Sequence, residues 1–171
     1  DLEEACPWFR FLGVFPIDFS APDPYQKNRT AAPQCLYKET CNLHLKKEYA
    51  KGVRGIGMIF NLDPHFKGGS HWVALYINLQ NIKKPIASYF DSYGYKTPEM
   101  IARLMKSFLL QIETCELGYN ARRFQYGGSE CGMFSLYFLI CMIHGIPFAD
   151  FCKDAIHDNM MLDLRRILFQ K

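Results

Sequence analysis

The sequence predicts an α+β fold, a central mixed or antiparallel sheet flanked by helices. Three observations carry that reading. Short apolar runs at 56–61, 71–78 and 86–91 read as consecutive strands, separated by Asp63-Pro64, Gly68-Gly69 and a loop at 79–85. Segments of helical periodicity stand before them, at 36–49, and after them, at 98–113, 131–144 and 158–169. The strands are gathered in the middle instead of alternating with helices, which argues against a doubly wound sheet. The 171 residues suit one domain, and 49% hydrophobic and 15% aromatic residues exclude a disordered chain.

Element by element, Trp8, Phe9, Phe11, Leu12, Val14 and Phe15 form an aromatic segment that must pack on something. Residues 16–34 carry Pro16, Pro22, Pro24 and Pro33 among polar residues and read as a long irregular loop. Asn28-Arg29-Thr30 fits a glycosylation acceptor but reads as plain polar loop. Leu36, Cys41, Leu43, Leu45 and Tyr49 predict one helix ending before Gly52. For 98–113, Thr97 is the expected N-cap, with Pro98 in the first turn and Glu99 favoured by the dipole. Residues 121–126 read as a short strand. Gly127-Gly128 then turns the chain into a helix that Cys131 opens and Gly145 ends, with Ser129 as its expected cap. The last helix places Met161, Leu164, Ile167 and Leu168 on one face. In domain terms, 1–55 reads as an N-terminal segment packed on a core at 56–171.

The longest apolar run, 133–143, is about half of a membrane span and reads as a buried helix. A net charge of +3 permits weak attraction to polyanions without demanding it. The chain opens at Asp1 with no basic-then-apolar leader, as expected of a piece of a longer protein. Seven cysteines, four of them in or beside apolar segments, suggest reduced thiols and an intracellular compartment.

Antiparallel pairing places chemistry at one end of the 71–91 hairpin. With a turn centred near Asn81, His71 falls opposite Asp91, on one face with Val73, Leu75, Ile77, Tyr89 and Ala87. A carboxylate there would accept one imidazole N–H and stabilise the imidazolium. A histidine at a strand edge is usually a packing residue, and Asp91 is also a good turn former, so the pair is not decisive by itself. Cys131 strengthens it. A helix N-terminus lowers a thiol pKa, and Gly132 leaves room for a substrate backbone. Gln125, six residues upstream, could donate its amide to an oxyanion together with the Cys131 backbone N–H.

These residues carry a resemblance. Gly69-Ser70-His71-Trp72-Val73-Ala74-Leu75-Tyr76, then Tyr89-Phe90-Asp91-Ser92-Tyr93-Gly94, then Gln125-Tyr126-Gly127-Gly128-Ser129-Glu130-Cys131-Gly132-Met133-Phe134 resemble the SUMO-protease and adenovirus-protease superfamily of cysteine endopeptidases. The resemblance spans about 56–169 and is greatest to the branch from large cytoplasmic DNA viruses, which matures capsid and core polyproteins. It implies a papain-like, adenain-like core. Cys131 would be the nucleophile, His71 the base and acid, Asp91 the orienting carboxylate and Gln125 the oxyanion donor. Trp72 and Gly132 would line a narrow channel for small residues, of Gly-Gly or Ala-Gly type. The partner implied is a protein, either a polyprotein precursor or a ubiquitin-like modifier conjugate, met in the host cytoplasm and virion if the viral reading holds. Two departures bear on substrate choice. Glu130 stands where SUMO proteases usually have Asp, and 1–55 does not match the cellular enzymes.

Other candidates are weaker. Cys35, Cys41 and His44, with Cys6, could bind zinc, but the spacing is not a standard knuckle, so reduced structural thiols and no metal are expected. Lys46, Lys47, Lys51 and Arg54, and separately Arg122-Arg123, could touch nucleic acid, as the adenovirus relative does, but usually such charges are a solvated face. His65, His144 and His157 show no partner pattern and read as structural. No cofactor is expected. The rival functions are a modifier deconjugase, an acyltransferase on the same core, and a binding module with a decayed site.

Overall fold

The computed structural model describes residues 2–28 and 30–169. Arg29, the middle residue of the candidate glycosylation acceptor, lies outside them. The elements run α1 (Leu2–Ala5), β1 (Phe9–Pro16), α2 (Lys38–Cys41), α3 (Leu45–Ala50), β2 (Gly55–Asn61), β3 (Trp72–Asn78), β4 (Ile86–Phe90), α4 (Glu99–Gln111), β5 (Glu116–Tyr119), α5 (Cys131–Ile143), α6 (Phe148–Phe151) and α7 (Asp158–Phe169). Five strands form one mixed sheet in sequence order: β1 and β2 are parallel, β2–β3 and β3–β4 antiparallel, β4 and β5 parallel.

Strand alternation builds two cores. Val73, Leu75 and Ile77 pack with Ile101, Leu104, Met105 and Phe108 of α4, while Ala74 and Tyr76 pack with Phe134, Phe138 and Leu139 of α5. The middle strand is covered on both faces, which is why it reads as a continuous apolar run. Helix α5 is apolar nearly all round because it lies between β3 and α7. The aromatic N-terminal segment finds its partner as β1, in the same sheet as the hairpin strands.

Several expectations are corrected. The helix at 36–49 is two short helices, α2 and α3. The break is held from outside: Gln111 donates from Nε2 to the Leu43 carbonyl at 3.0 Å and accepts from the Leu45 N–H at 2.9 Å. Cys35 and Cys41 are joined in a disulfide, so they are neither reduced thiols nor available as zinc ligands. The last strand is β5, not 121–126; the N–H groups of Phe124 and Gln125 both go to the Ser92 carbonyl, at 2.8 Å, and make no ladder. Pro98, not Thr97, is the N-cap of α4. His65 has a partner after all, Asp18, at 2.6 Å.

The basic cluster near α3 is partly used by the protein itself. Lys51 meets Glu48 at 2.9 Å, and Arg54 donates to the carbonyls of Tyr49 and Val53 while lying over the Tyr49 ring. Among the described residues no helix is long and apolar enough to cross a membrane.

Candidate active site

The hairpin register differs from the expected one by two residues. Leu75 pairs with Tyr89 and Ile77 with Ala87, so His71 and Asp91 are not directly opposed. A two-residue offset preserves the face, because side chains repeat every second residue. Both residues also lie one position beyond their strands, where ladder geometry no longer dictates direction. There His71 Nε2 donates to Asp91 Oδ1 at 2.8 Å, and the Cys131 thiol lies close enough to the ring to raise its pKa. Since Nε2 is taken by a carboxylate, Nδ1 is the nitrogen left for the thiol.

Cys131 is the first residue of α5 and is buried. Burial pushes its thiol pKa up, but hydrogen bonds from His71 and from the backbone at Trp72 and Gly132 favour the thiolate, and the net direction is down. For His71, burial disfavours the charged ring, yet the bonds and charges of Asp91 and Cys131 outweigh it and raise its pKa to about 9. Both shifts run in the direction that favours a thiolate–imidazolium pair.

The turn after β4 organises the surroundings. Asp91 Oδ1 also accepts the Tyr93 N–H at 2.8 Å, and buried Asn120 pins the Asp91 backbone through its N–H and C=O, at 2.8 and 2.6 Å. Tyr93 stacks on the His71 ring, with centroids 4.8 Å apart. Gly94 takes φ +76°, and a Cβ there would fall 2.8 Å from the backbone of Arg122, so the chain passes closely over this turn only because a glycine occupies it.

Gln125 is fully buried beside that turn. Its Oε1 accepts from Ser92 Oγ at 2.7 Å and its Nε2 donates to the Gly127 carbonyl at 2.9 Å. The carbonyl can only accept, which fixes the amide orientation and leaves a second amide N–H for another partner. The expected Ser129 cap is absent. Glu130 is the N-cap residue, with no side-chain cap bond, and its carboxylate folds back to the N–H and hydroxyl of Ser129. Ser129, bonded to that carboxylate, lowers the Glu130 pKa. A Cβ on Gly132 would lie 3.9 Å from Trp72 Cδ1, ordinary contact, so nothing within the protein requires glycine there.

An apolar cleft of about 450 Å³, lined by Tyr76, Met142, Ile146 and Phe148 among others, lies at the opposite end of α5 and holds no thiol or imidazole. A thiol and an imidazole meet instead at the Cys131 end. Sequence reading missed Asn120, the stacking role of Tyr93 and two α7 side chains, Asp158 and Arg165, that reach the loop before Cys131. No local signal marks them, because each acts across 20 residues or more or through tertiary packing.

A thiol and an imidazole held by a carboxylate, at the end of a mixed sheet, are equipment for sulfur attack on an acyl carbon, the chemistry of cysteine peptidases. The chain belongs to the Ulp1 protease family, a cysteine peptidase family: the model of that family's C-terminal catalytic domain matches residues 25–171. Among its relatives, R355 of Acanthamoeba polyphaga mimivirus is 28% identical over 98% of this chain and 52% of its own. The cysteine protease S273R of African swine fever virus is 30% identical over 67% of this chain and 43% of its own. The chain thus spans about half the length of these relatives. In fold it is similar to the crystal structure of the African swine fever virus protease, with a TM-score of 0.71 at 20% identity, covering 92% of this chain and 58% of that one. It is also similar to the yeast Ulp1 protease domain in complex with Smt3, with a TM-score of 0.50 at 16% identity, covering 71% and 54%.

Proposed function

We propose that this chain is the catalytic part of a cysteine endopeptidase that cuts structural polyprotein precursors of a large DNA virus after small residues, of Gly-Gly or Ala-Gly type. Residues 56–171 carry the chemistry and 1–55 complete the sheet and pack on it. The observation that carries the reading is the His71–Asp91 hydrogen bond with the Cys131 thiol, at the start of α5, near enough to the ring for the two to shift each other's pKa. In this mechanism the Cys131 thiolate adds to the scissile carbonyl. Gln125 Nε2 and the Cys131 N–H stabilise the oxyanion. His71 gives its proton to the leaving amine, then takes one from the water that hydrolyses the thioester. Asp91 holds the ring and stabilises the imidazolium. Trp72 beside the side-chain-free Gly132 supports a channel too narrow for large side chains.

The viral relatives favour a viral precursor as substrate and the infected cytoplasm and virion as the setting. A second reading, removal of a ubiquitin-like modifier, has its own support, since the Ulp1 domain is similar in fold and its structure holds Smt3. Cleavage of a peptide library, with Cys131→Ala as control, tests the chemistry. Comparing a Gly-Gly-containing precursor peptide with a modifier-fused reporter separates the substrates. Cleavage of the reporter alone would replace the precursor reading with the second one.

A further inference from the structure

We propose that Asp158, the first residue of α7, is a positioning residue for the oxyanion side of the site, acting through Gly127. The proposal rests on the peptidase reading above.

The segment from Gln125 to Cys131 is irregular and contains Gly127-Gly128, so without anchors it would have many conformations to lose. The anchors come from α7. Both Asp158 carboxylate oxygens accept the Tyr126 N–H, at 3.2 and 3.0 Å, and Oδ2 accepts the Gly127 N–H at 2.7 Å. Two turns along the same helix, Arg165 Nη2 donates to the Ser129 carbonyl at 2.9 Å. The helix is itself seated on the α5 core by buried Met161 and by Leu164.

Residue 127 is therefore gripped from both sides. Asp158 holds its N–H, while its carbonyl accepts Gln125 Nε2 at 2.9 Å and the Tyr93 hydroxyl at 3.1 Å. Tyr93 is the residue stacked on His71. The packing around 127 is close: a Cβ would fall 2.8 Å from Glu130 Oε2, so that carboxylate would have to shift, and 3.4 Å from Asp158 Oδ2. An oxyanion donor works only if it is aimed before charge develops. The Gly127 carbonyl aims the Gln125 amide, and Asp158 sets where that carbonyl lies.

The test is steady-state kinetics on one peptide, combined with iodoacetamide alkylation of Cys131, for the parent, Asp158→Ala, Asp158→Asn, Gln125→Ala and the Asp158→Ala/Gln125→Ala double variant. Asp158→Ala should lower kcat about 10- to 100-fold with KM within about twofold, part of the loss expected from removing a donor outright. Alkylation should stay within about twofold of the parent, because it builds no oxyanion and needs only the thiolate. Asp158→Asn keeps one carbonyl acceptor and should recover most of kcat. The double variant should be no slower than Gln125→Ala alone, since the two act on one donor. An unchanged kcat in Asp158→Ala, a parallel fall in alkylation, an Asn variant no better than Ala, or additive losses would each overturn the proposal. A parent protein that neither cleaves peptide nor alkylates at Cys131 would instead overturn the peptidase reading, and this proposal with it.

Discussion

The molecule holds two histidine–aspartate pairs that look alike at the contact and differ in everything around it. His71–Asp91 and His65–Asp18 are 2.8 and 2.6 Å long. In the first pair the aspartate side chain is 1% exposed and in the second 22%. Asp91 is fixed by Asn120 and Tyr93, and its histidine reaches on to a thiol. Asp18 instead accepts the His65 backbone N–H at 2.9 Å as well as the ring, so the pair closes on itself and pins a turn. An imidazole–carboxylate contact is common structural material. Burial of the carboxylate and a third, nucleophilic member separate a candidate site from a clasp.

The largest expected effect comes from the nucleophile that His65–Asp18 lacks. Cys131→Ala should abolish peptide cleavage, with a loss on the order of a million-fold, while far-UV circular dichroism stays that of the parent. Residual turnover near the parent rate would mean that the thiol is not what distinguishes the two pairs. Next comes the carboxylate. Asp91→Ala should cost about 10,000-fold in kcat, and Asp91→Asn less, because an amide oxygen still accepts the ring N–H. Equal rates for Asp91→Ala and the parent would remove the orienting role.

A smaller, graded effect lies in pH. kcat/KM should rise as pH passes the depressed pKa of Cys131 and fall as pH rises through about 9, where His71 loses its proton. The same shift has a stability sign. The folded-state value lies above the 6.5 of an unstructured histidine, so protonated His71 contributes fully below pH 6.5, and that contribution is lost as pH climbs to about 9. Thermal melts of the parent and His71→Ala across pH 6 to 10 should therefore converge toward the alkaline end.

At the bottom of the scale stands the clasp. Asp18→Ala should leave kcat within about twofold and lower stability by about 1 kcal/mol or less, as befits a partly exposed pair. A loss of activity comparable with Asp91→Ala would show that the turn before His71 belongs to the machinery.

Reading from sequence worked where a pattern repeats locally. The strands at 56–61, 71–78 and 86–91 and the helices now seen as α4, α5 and α7 announce themselves through period two or 3.6, because each buries one face or all of it. The same periodicity kept the strand residues on their own faces even with the turn misplaced by a residue, since an error of two in register leaves every side chain on its own side, while His71 and Asp91 meet one position beyond the ladder. The order of the His, Asp, Gln and Cys blocks is linear information too, and it sufficed for the family.

Tertiary structure decided what depends on partners far along the chain. Residues 121–126 have the composition of a strand, but the Ser92 carbonyl takes two of their N–H groups, and β5 pairs with β4 instead. The helix at 36–49 breaks because Gln111, more than 60 residues away, supplies hydrogen bonds that the helix would otherwise make to itself. Ser129 has the right chemistry for a cap and bonds Glu130 instead. Backbone N–H and C=O groups must all find partners, and several donors usually compete for each acceptor. A sequence names the competitors within a few residues of one another; only the packed chain shows which distant one arrives.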